Sequence, residues 1–135
     1  MAINLTPTLT LASTGGSSGV SEDETLSLTV TDTLSIGQET HGISRTTVST
    51  VGASNIIQPD TSGATYYVYV KHTGTSDGTS ATTENLGVEL TGDVPFAVLA
   101  PDEFCFLPVG GGSFGVQLQA ASGTVIAEYG FWKKA

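Results

Sequence analysis

Tyr66-Tyr67-Val68-Tyr69-Val70 and Leu86-Gly87-Val88-Glu89-Leu90 decide the fold class. In the second segment apolar side chains recur at every other position. A strand there puts Leu86, Val88 and Leu90 on one face and Gly87 and Glu89 on the other. The first segment is aromatic or apolar at both parities, with Tyr67 and Tyr69 facing one way and Tyr66, Val68 and Val70 the other. Such a strand is central in its sheet or covered by a neighbouring subunit, and Phe96-Ala97-Val98-Leu99 reads the same way. Working outward, the alternation recurs in Phe114-Gly115-Val116-Gln117-Leu118. It recurs again at Leu26, Leu28, Val30, Leu34 and Ile36, and at Ile3, Leu5, Leu9 and Leu11.

Loop chemistry separates these runs, at Gly15-Gly16-Ser17-Ser18-Gly19, Asp60-Thr61-Ser62-Gly63, Asp77-Gly78, Pro101-Asp102 and Gly110-Gly111-Gly112 among others. Short strands at such spacing belong to a sandwich or barrel. The number of candidates predicts an all-β, antiparallel, jelly-roll-like β-sandwich. Pro7 marks the first strand as an edge or arm. Gly15 to Ser21 reads as a hinge, so an N-terminal strand or arm over residues 1–14 precedes the sandwich over 22–135, one domain overall. The arm can pair within its own chain, the preferred reading, or add a strand to a neighbouring subunit.

Composition agrees. The 135 residues are 39% hydrophobic but only 13% charged, and Thr, Ser and Gly fill the remainder. Thr suits strands and Gly and Ser suit turns, while strong helix formers are scarce. Four basic residues stand against thirteen acidic ones, a net charge of −9. Binding nucleic acid takes Lys and Arg to neutralise phosphates, and anionic lipid repels a chain of this sign, so neither partner is expected. Cys105 is the sole cysteine and can form no intrachain disulfide. MAINLTPTLTLAS lacks the basic and apolar regions of a signal peptide, and no apolar run approaches membrane-spanning length. Synthesis in the cytoplasm is the expectation.

Candidate chemistry is sparse. Cys105, between Phe104 and Phe106, reads as a core thiol whose acidic neighbours Asp102 and Glu103 oppose thiolate formation. His41 and His72 are too far apart for a local metal motif and read as surface or loop-end residues. A calcium ion on Asp60 or Asp77 is the one metal alternative. Gly110-Gly111-Gly112-Ser113 lacks the lysine of a phosphate loop, and no GxSxG elbow is present. No catalytic residue, metal site or cofactor is assigned, and the chain is expected not to be an enzyme. Tyr67, Tyr69 and Trp132 could stack on sugar rings, so a carbohydrate-binding or adhesive module of a tail or fibre is the competing reading.

The segment Leu99-Ala100-Pro101-Asp102-Glu103-Phe104-Cys105-Phe106-Leu107-Pro108 enters a turn, an aromatic-rich strand and a second proline. Val116-Gln117-Leu118-Gln119-Ala120-Ala121-Ser122-Gly123 follows, and Val125-Ile126-Ala127-Glu128-Tyr129-Gly130-Phe131-Trp132 closes the chain. This cadence, from Phe96 to Lys133, resembles small virion proteins of tailed bacteriophages of the head decoration (cement) type. Asp102 stands where their turn carries Gly. The resemblance implies a jelly-roll-like fold, a place on the capsid surface of the virion, contact with the major capsid protein, and clustering with copies of itself, commonly as homotrimers. Contact elements expected on that basis are the arm around Leu5, Leu9 and Leu11, the strand face of Tyr67 and Tyr69, and Lys133 and Lys134 near the C-terminus.

Overall fold

The computed structural model describes residues 3–12, 27–37, 41–51, 54–57, 63–90, 95–110 and 115–135. Every regular element among them is a strand, and every pairing is antiparallel. Eight strands build two sheets. They are β5 (His41–Ser49), β6 (Ser54–Ile57), β7 (Tyr66–His72), β8 (Leu86–Leu90), β9 (Pro95–Leu99), β10 (Phe104–Val109), β11 (Val116–Ala120) and β12 (Thr124–Lys133). The front sheet runs β10-β7-β12-β5 and the back sheet β6-β11-β8-β9. Counted from β5 as the first strand, these orders are 1-8-3-6 and 2-7-4-5. Each strand of the front sheet is thus followed or preceded in the chain by one of the back sheet, which is the jelly roll.

The two-residue period places the core. Val68 and Val70 of β7, Leu86 and Val88 of β8, Val116 and Leu118 of β11, and Val125 and Ala127 of β12 are all fully buried between the sheets. Removing a side chain of that size from water contributes roughly 1.5–3 kcal/mol each. β7 lies between β10 and β12, so the tyrosine strand is central, as its two apolar parities predict. Phe96-Ala97-Val98-Leu99 is different. β9 is the edge of the back sheet, and Phe96 and Val98 point away from the core into solvent. The edge place overturns the central alternative, and within one chain the apolar outer parity of β9 faces solvent.

His72 also departs from expectation. It ends β7 with its ring completely buried, not at the surface. Its Nε2–H donates to the Glu84 carbonyl at 2.7 Å, and Nδ1 accepts the Gly74 N–H at 2.9 Å. A ring that joins two loop backbones in this way acts as a structural strut, and both its nitrogens are occupied. Nearby, Asp102 has φ 69°, a left-handed conformation that glycine adopts most readily and Asp tolerates better than most residues.

The N-terminal segment forms a separate ribbon. β1 (Ile3–Leu5) pairs with β4 (Leu34–Ile36), and β2 (Thr8–Ala12) pairs with β3 (Ser27–Thr31). Ile3 opposes Ile36, Leu5 opposes Leu34, Thr8 opposes Thr31 and Ala12 opposes Ser27, one unbroken register. At the break between β1 and β2 the Asp32 N–H reaches the Pro7 carbonyl at 3.3 Å, so the interruption costs no change of register. The arm therefore pairs within its own chain, with residues 27–36 as its return strand, and not with either sandwich sheet. Its base is tied to the end of β12. Ile36 bridges Lys134, Gly37 N–H donates to the Lys133 carbonyl at 2.9 Å, and Ala135 N–H to that of Ser35 at 3.2 Å. The hinge expected at 15–21 lies outside the described residues.

Candidate functional site

Strand register fixes what the front sheet shows to solvent. Val68 and Val70 point inward, so their neighbours Tyr67, Tyr69 and Lys71 point outward. Across the ladder Phe106 opposes Tyr69, Phe104 opposes Lys71, and Trp132 opposes Tyr67. Residues directly opposite share a face, and an aromatic band results. The Tyr67 and Phe106 rings are stacked, 6.1 Å between centroids and 9° between planes, and Phe106 meets Trp132 at 6.3 Å and 50°. Lys134 Nζ lies 4.8 Å from the centre of the Tyr67 ring, a cation–π contact. Phe104 at 58% and Ile43 at 55% exposure extend the band into solvent.

A groove of about 310 Å³ runs along this band, lined by Ile43, Tyr69, Phe106, Glu128 and Trp132 from the sheet and by Leu5 and Pro7 from the ribbon. Glu128 is the one carboxylate in its lining, and both its oxygens are engaged. The Tyr69 hydroxyl donates to Oε1 at 3.2 Å, and Arg45 Nε to Oε2 at 3.2 Å. Partial burial first, and then the Glu128 charge and hydrogen bond, raise the pKa of the Tyr69 hydroxyl above its ordinary value. Glycoside hydrolysis needs two carboxylates flanking a sugar bond, and this groove offers one. The arrangement is suited to holding an apolar or aromatic surface by packing, with Glu128 and Arg45 as a polar margin.

Charge is sorted as well. All four basic residues belong to the front sheet or its end: Arg45 on β5, Lys71 on β7, Lys133 on β12 and Lys134 just beyond. In a chain of net charge −9 this puts Arg45, Lys71 and Lys134 on or beside the aromatic face, with Arg45 paired to Glu128.

The residues expected from sequence to make contacts separate into three places. Leu5 and Tyr69 meet in the groove, and Tyr67 and Lys134 pack together beside it. Lys133 opposes Tyr66, on the core-facing parity of β12, and so points away from that band. Leu9 and Leu11 lie out on the ribbon, opposite Val30 and Leu28. These four form one apolar face, exposed at 43%, 42%, 50% and 42% respectively, while Thr8, Thr10, Thr29 and Thr31 form the other. The sequence reading missed Phe104, Phe106, Ile43 and the Arg45–Glu128 pair. The alternation Phe104-Cys105-Phe106 signals that the two Phe share a face, but the identity of that face depends on the pairing with β7.

The other candidates for chemistry are accounted for locally. Cys105 points inward on β10, half-buried, and burial raises its thiol pKa; its acidic neighbours are not the cause, and a Val70 backbone hydrogen bond partly offsets the rise. The Asp77 carboxylate accepts the Ser80 and Thr79 N–H groups at 2.6 and 2.8 Å and both their hydroxyls. Those bonds hold its pKa well below the usual carboxylate range. Three of the four bonds fall on Oδ1 and one on Oδ2, and Asp60 lies outside the described residues. No cluster of three metal-ligating side chains occurs among the described residues. No helix among them is long and apolar enough to cross a membrane.

The fold and face define a jelly-roll β-sandwich with a projecting ribbon and an aromatic outer sheet. Compared with known proteins, the chain matches no family model and no curated sequence.

Proposed function

We propose that this protein is a non-enzymatic structural component of a tailed-phage virion, a capsid decoration or cement protein. In this reading it sits on the capsid surface, bridges capsomers of the major capsid protein and stabilises the head, working as a homo-oligomer, with a homotrimer the arrangement that the resemblance implies. One observation carries the reading: a single chain leaves two apolar surfaces open, the ribbon stripe and the aromatic face, while every buried side-chain polar atom among the described residues has a partner. Exposed apolar surface of that extent marks a protein contact. Neutral Thr and Ser on the opposite ribbon face and dispersed acids elsewhere keep the remainder soluble. The expected result is co-purification with phage particles at a high, fixed stoichiometry. Absence of the chain from purified virions by mass spectrometry would end the proposal.

A second reading rests on the Tyr67–Phe106–Trp132 band beside the Glu128 and Arg45 side chains. Aromatic faces next to polar groups can hold sugar rings, as in a carbohydrate-binding module of a tail or fibre. It requires glycan binding that disappears in Tyr67→Ala and Trp132→Ala. A broad glycan array with no signal removes it.

A further inference from the structure

We propose that the outer half of the ribbon lays its apolar stripe on the aromatic front-sheet face of a second copy of this chain. The inference deepens the structural reading above by naming the two surfaces that join copies, and it rests on that reading's premise that the open surfaces bind protein.

The stripe is continuous in register but not in cover. At its base Ile36 is buried beside Lys134, and Leu5 lines the aromatic groove with Tyr69, Phe106 and Trp132. Farther out, Leu9, Leu11, Leu28 and Val30 occupy the same side of the same ladder and remain 42–50% exposed among the described residues, as does Ile3 opposite Ile36, at 58%. Two strands alone are marginally stable in water, and an amphipathic pair gains stability only when its apolar face is covered. The base of the ribbon already shows which chemistry covers this stripe: the aromatic outer face of the front sheet. That face is itself only partly used, because Phe104 stands open beyond the groove and Ile43 stays more than half exposed within its lining. Each copy therefore carries an unused stripe and an unused receptor of the kind the stripe takes.

Charge points to the same occupant. Two chains of −9 repel one another, so they can join only where that repulsion is least. The described ribbon residues hold a single charged side chain, Asp32, and the front-sheet face presents Arg45, Lys71 and Lys134. Because the stripe of one copy and the receptor of the next are different patches, the contact is heterologous and closes into a ring when the rotation allows.

The test uses the full chain in isolation. Light scattering with size exclusion, from low to high protein concentration, should find an oligomer. Leu11→Ser on the stripe and Phe104→Ser on the receptor should each weaken it, by roughly tenfold or more in dissociation constant. The two substitutions lie on different elements and on exposed positions, so far-ultraviolet circular dichroism should report an unchanged sandwich in both. In a Cys105→Ser background, Leu11→Cys chains mixed with Phe104→Cys chains should form a mixed disulfide under mild oxidation. Thr10→Cys, on the opposite ribbon face, should not. A monomer at every concentration overturns the inference, as does an oligomer that both serine variants leave intact. Weakening by added salt would also overturn it, since it would mean that attraction between charges holds the copies together. Absence from virions with the oligomer present would instead reject the capsid role and leave this inference standing.

Discussion

β11 and β2 are written in the same code. Val116-Gln117-Leu118-Gln119-Ala120 alternates apolar with polar residues over five positions, and Thr8-Leu9-Thr10-Leu11-Ala12 does so over its first four. In β11 the apolar positions Val116, Leu118 and Ala120 are buried, whereas all five residues of β2 are exposed. The difference lies in what each strand is next to. β11 sits between β6 and β8 with the front sheet across the core, while among the described residues β2 pairs with β3 alone. Periodicity states which side chains share a face; long-range topology states whether anything covers that face.

The largest effect follows directly from this contrast. Leu118→Ala removes a fully buried side chain and should cost about 2–5 kcal/mol, from transfer and cavity together. Leu11→Ala, of identical chemistry, should cost less than about 0.5 kcal/mol in the isolated chain. Urea unfolding at dilutions where the protein is monomeric compares them. Equal costs would mean that the ribbon is packed within one chain, and the distinction between the two regions would be lost.

His72 sharpens the sandwich side of the comparison, because there burial is combined with satisfied polar groups. His72→Leu keeps most of the volume but leaves the Glu84 carbonyl and the Gly74 N–H without their partners. Each buried, unpaired group costs about 1–3 kcal/mol; the apolar burial of the leucine offsets part of the sum, so a loss of about 2–4 kcal/mol is expected by the same unfolding measurement. His72→Gln, which retains a donor and an acceptor, should recover part of it. A full-stability leucine variant would show that the two loops do not need the ring.

Gly74 adds a backbone constraint of smaller size. Its φ is 78°, and a Cβ there would stand 2.8 Å from an Asp102 oxygen. Gly74→Ala should destabilise by about 1–3 kcal/mol, the left-handed conformation supplying about 1–2 of it. Placing the same change in an Asp102→Gly background should return only the part due to the carboxylate. If the background makes no difference, the close approach relaxes without cost and the conformation alone is responsible.

Much of the sandwich was legible in the sequence, and for a physical reason. Alternation at Leu86-Gly87-Val88-Glu89-Leu90 and the doubly apolar Tyr66–Val70 run mark which residues meet the core, and the turn residues mark where strands end. The central place of β7 and the outward direction of Tyr67 and Tyr69 follow from those local rules. The neighbours of those tyrosines do not. Phe106 comes beside Tyr69 only because β10, 30-odd residues downstream, pairs with β7 in one particular register. The burial of His72 likewise depends on Glu84 and Gly74 folding over it. For β9 only the central alternative failed, because an apolar edge and a buried centre have the same composition. Along the arm, Leu9 and Leu11 were identifiable as a shared face, but their return partners Leu28 and Val30 were assigned to the sandwich, since a hairpin and a sheet strand share one pattern.

The smallest effect tests a surface loop, where neither region's packing contributes. Asp77 is fully exposed, yet four hydrogen bonds from Ser80 and Thr79 favour its charged form and depress its pKa. In the unfolded chain the same carboxyl titrates near ~3.9. A carboxyl whose folded pKa lies below its unfolded one stabilises the fold at all pH above the unfolded value. That contribution falls away as the pH drops below ~4 and on through the folded pKa. Asp77→Asn keeps an acceptor oxygen but abolishes the charge, so it should be less stable than the parent at neutral pH. The gap between the two should be constant from neutrality down to about pH 5 and should narrow below about pH 4. Thermal unfolding of both proteins across that range reads the difference directly. A gap that stays the same in acid would assign the stabilisation to the shape of the turn, and the charge on Asp77 would then contribute nothing.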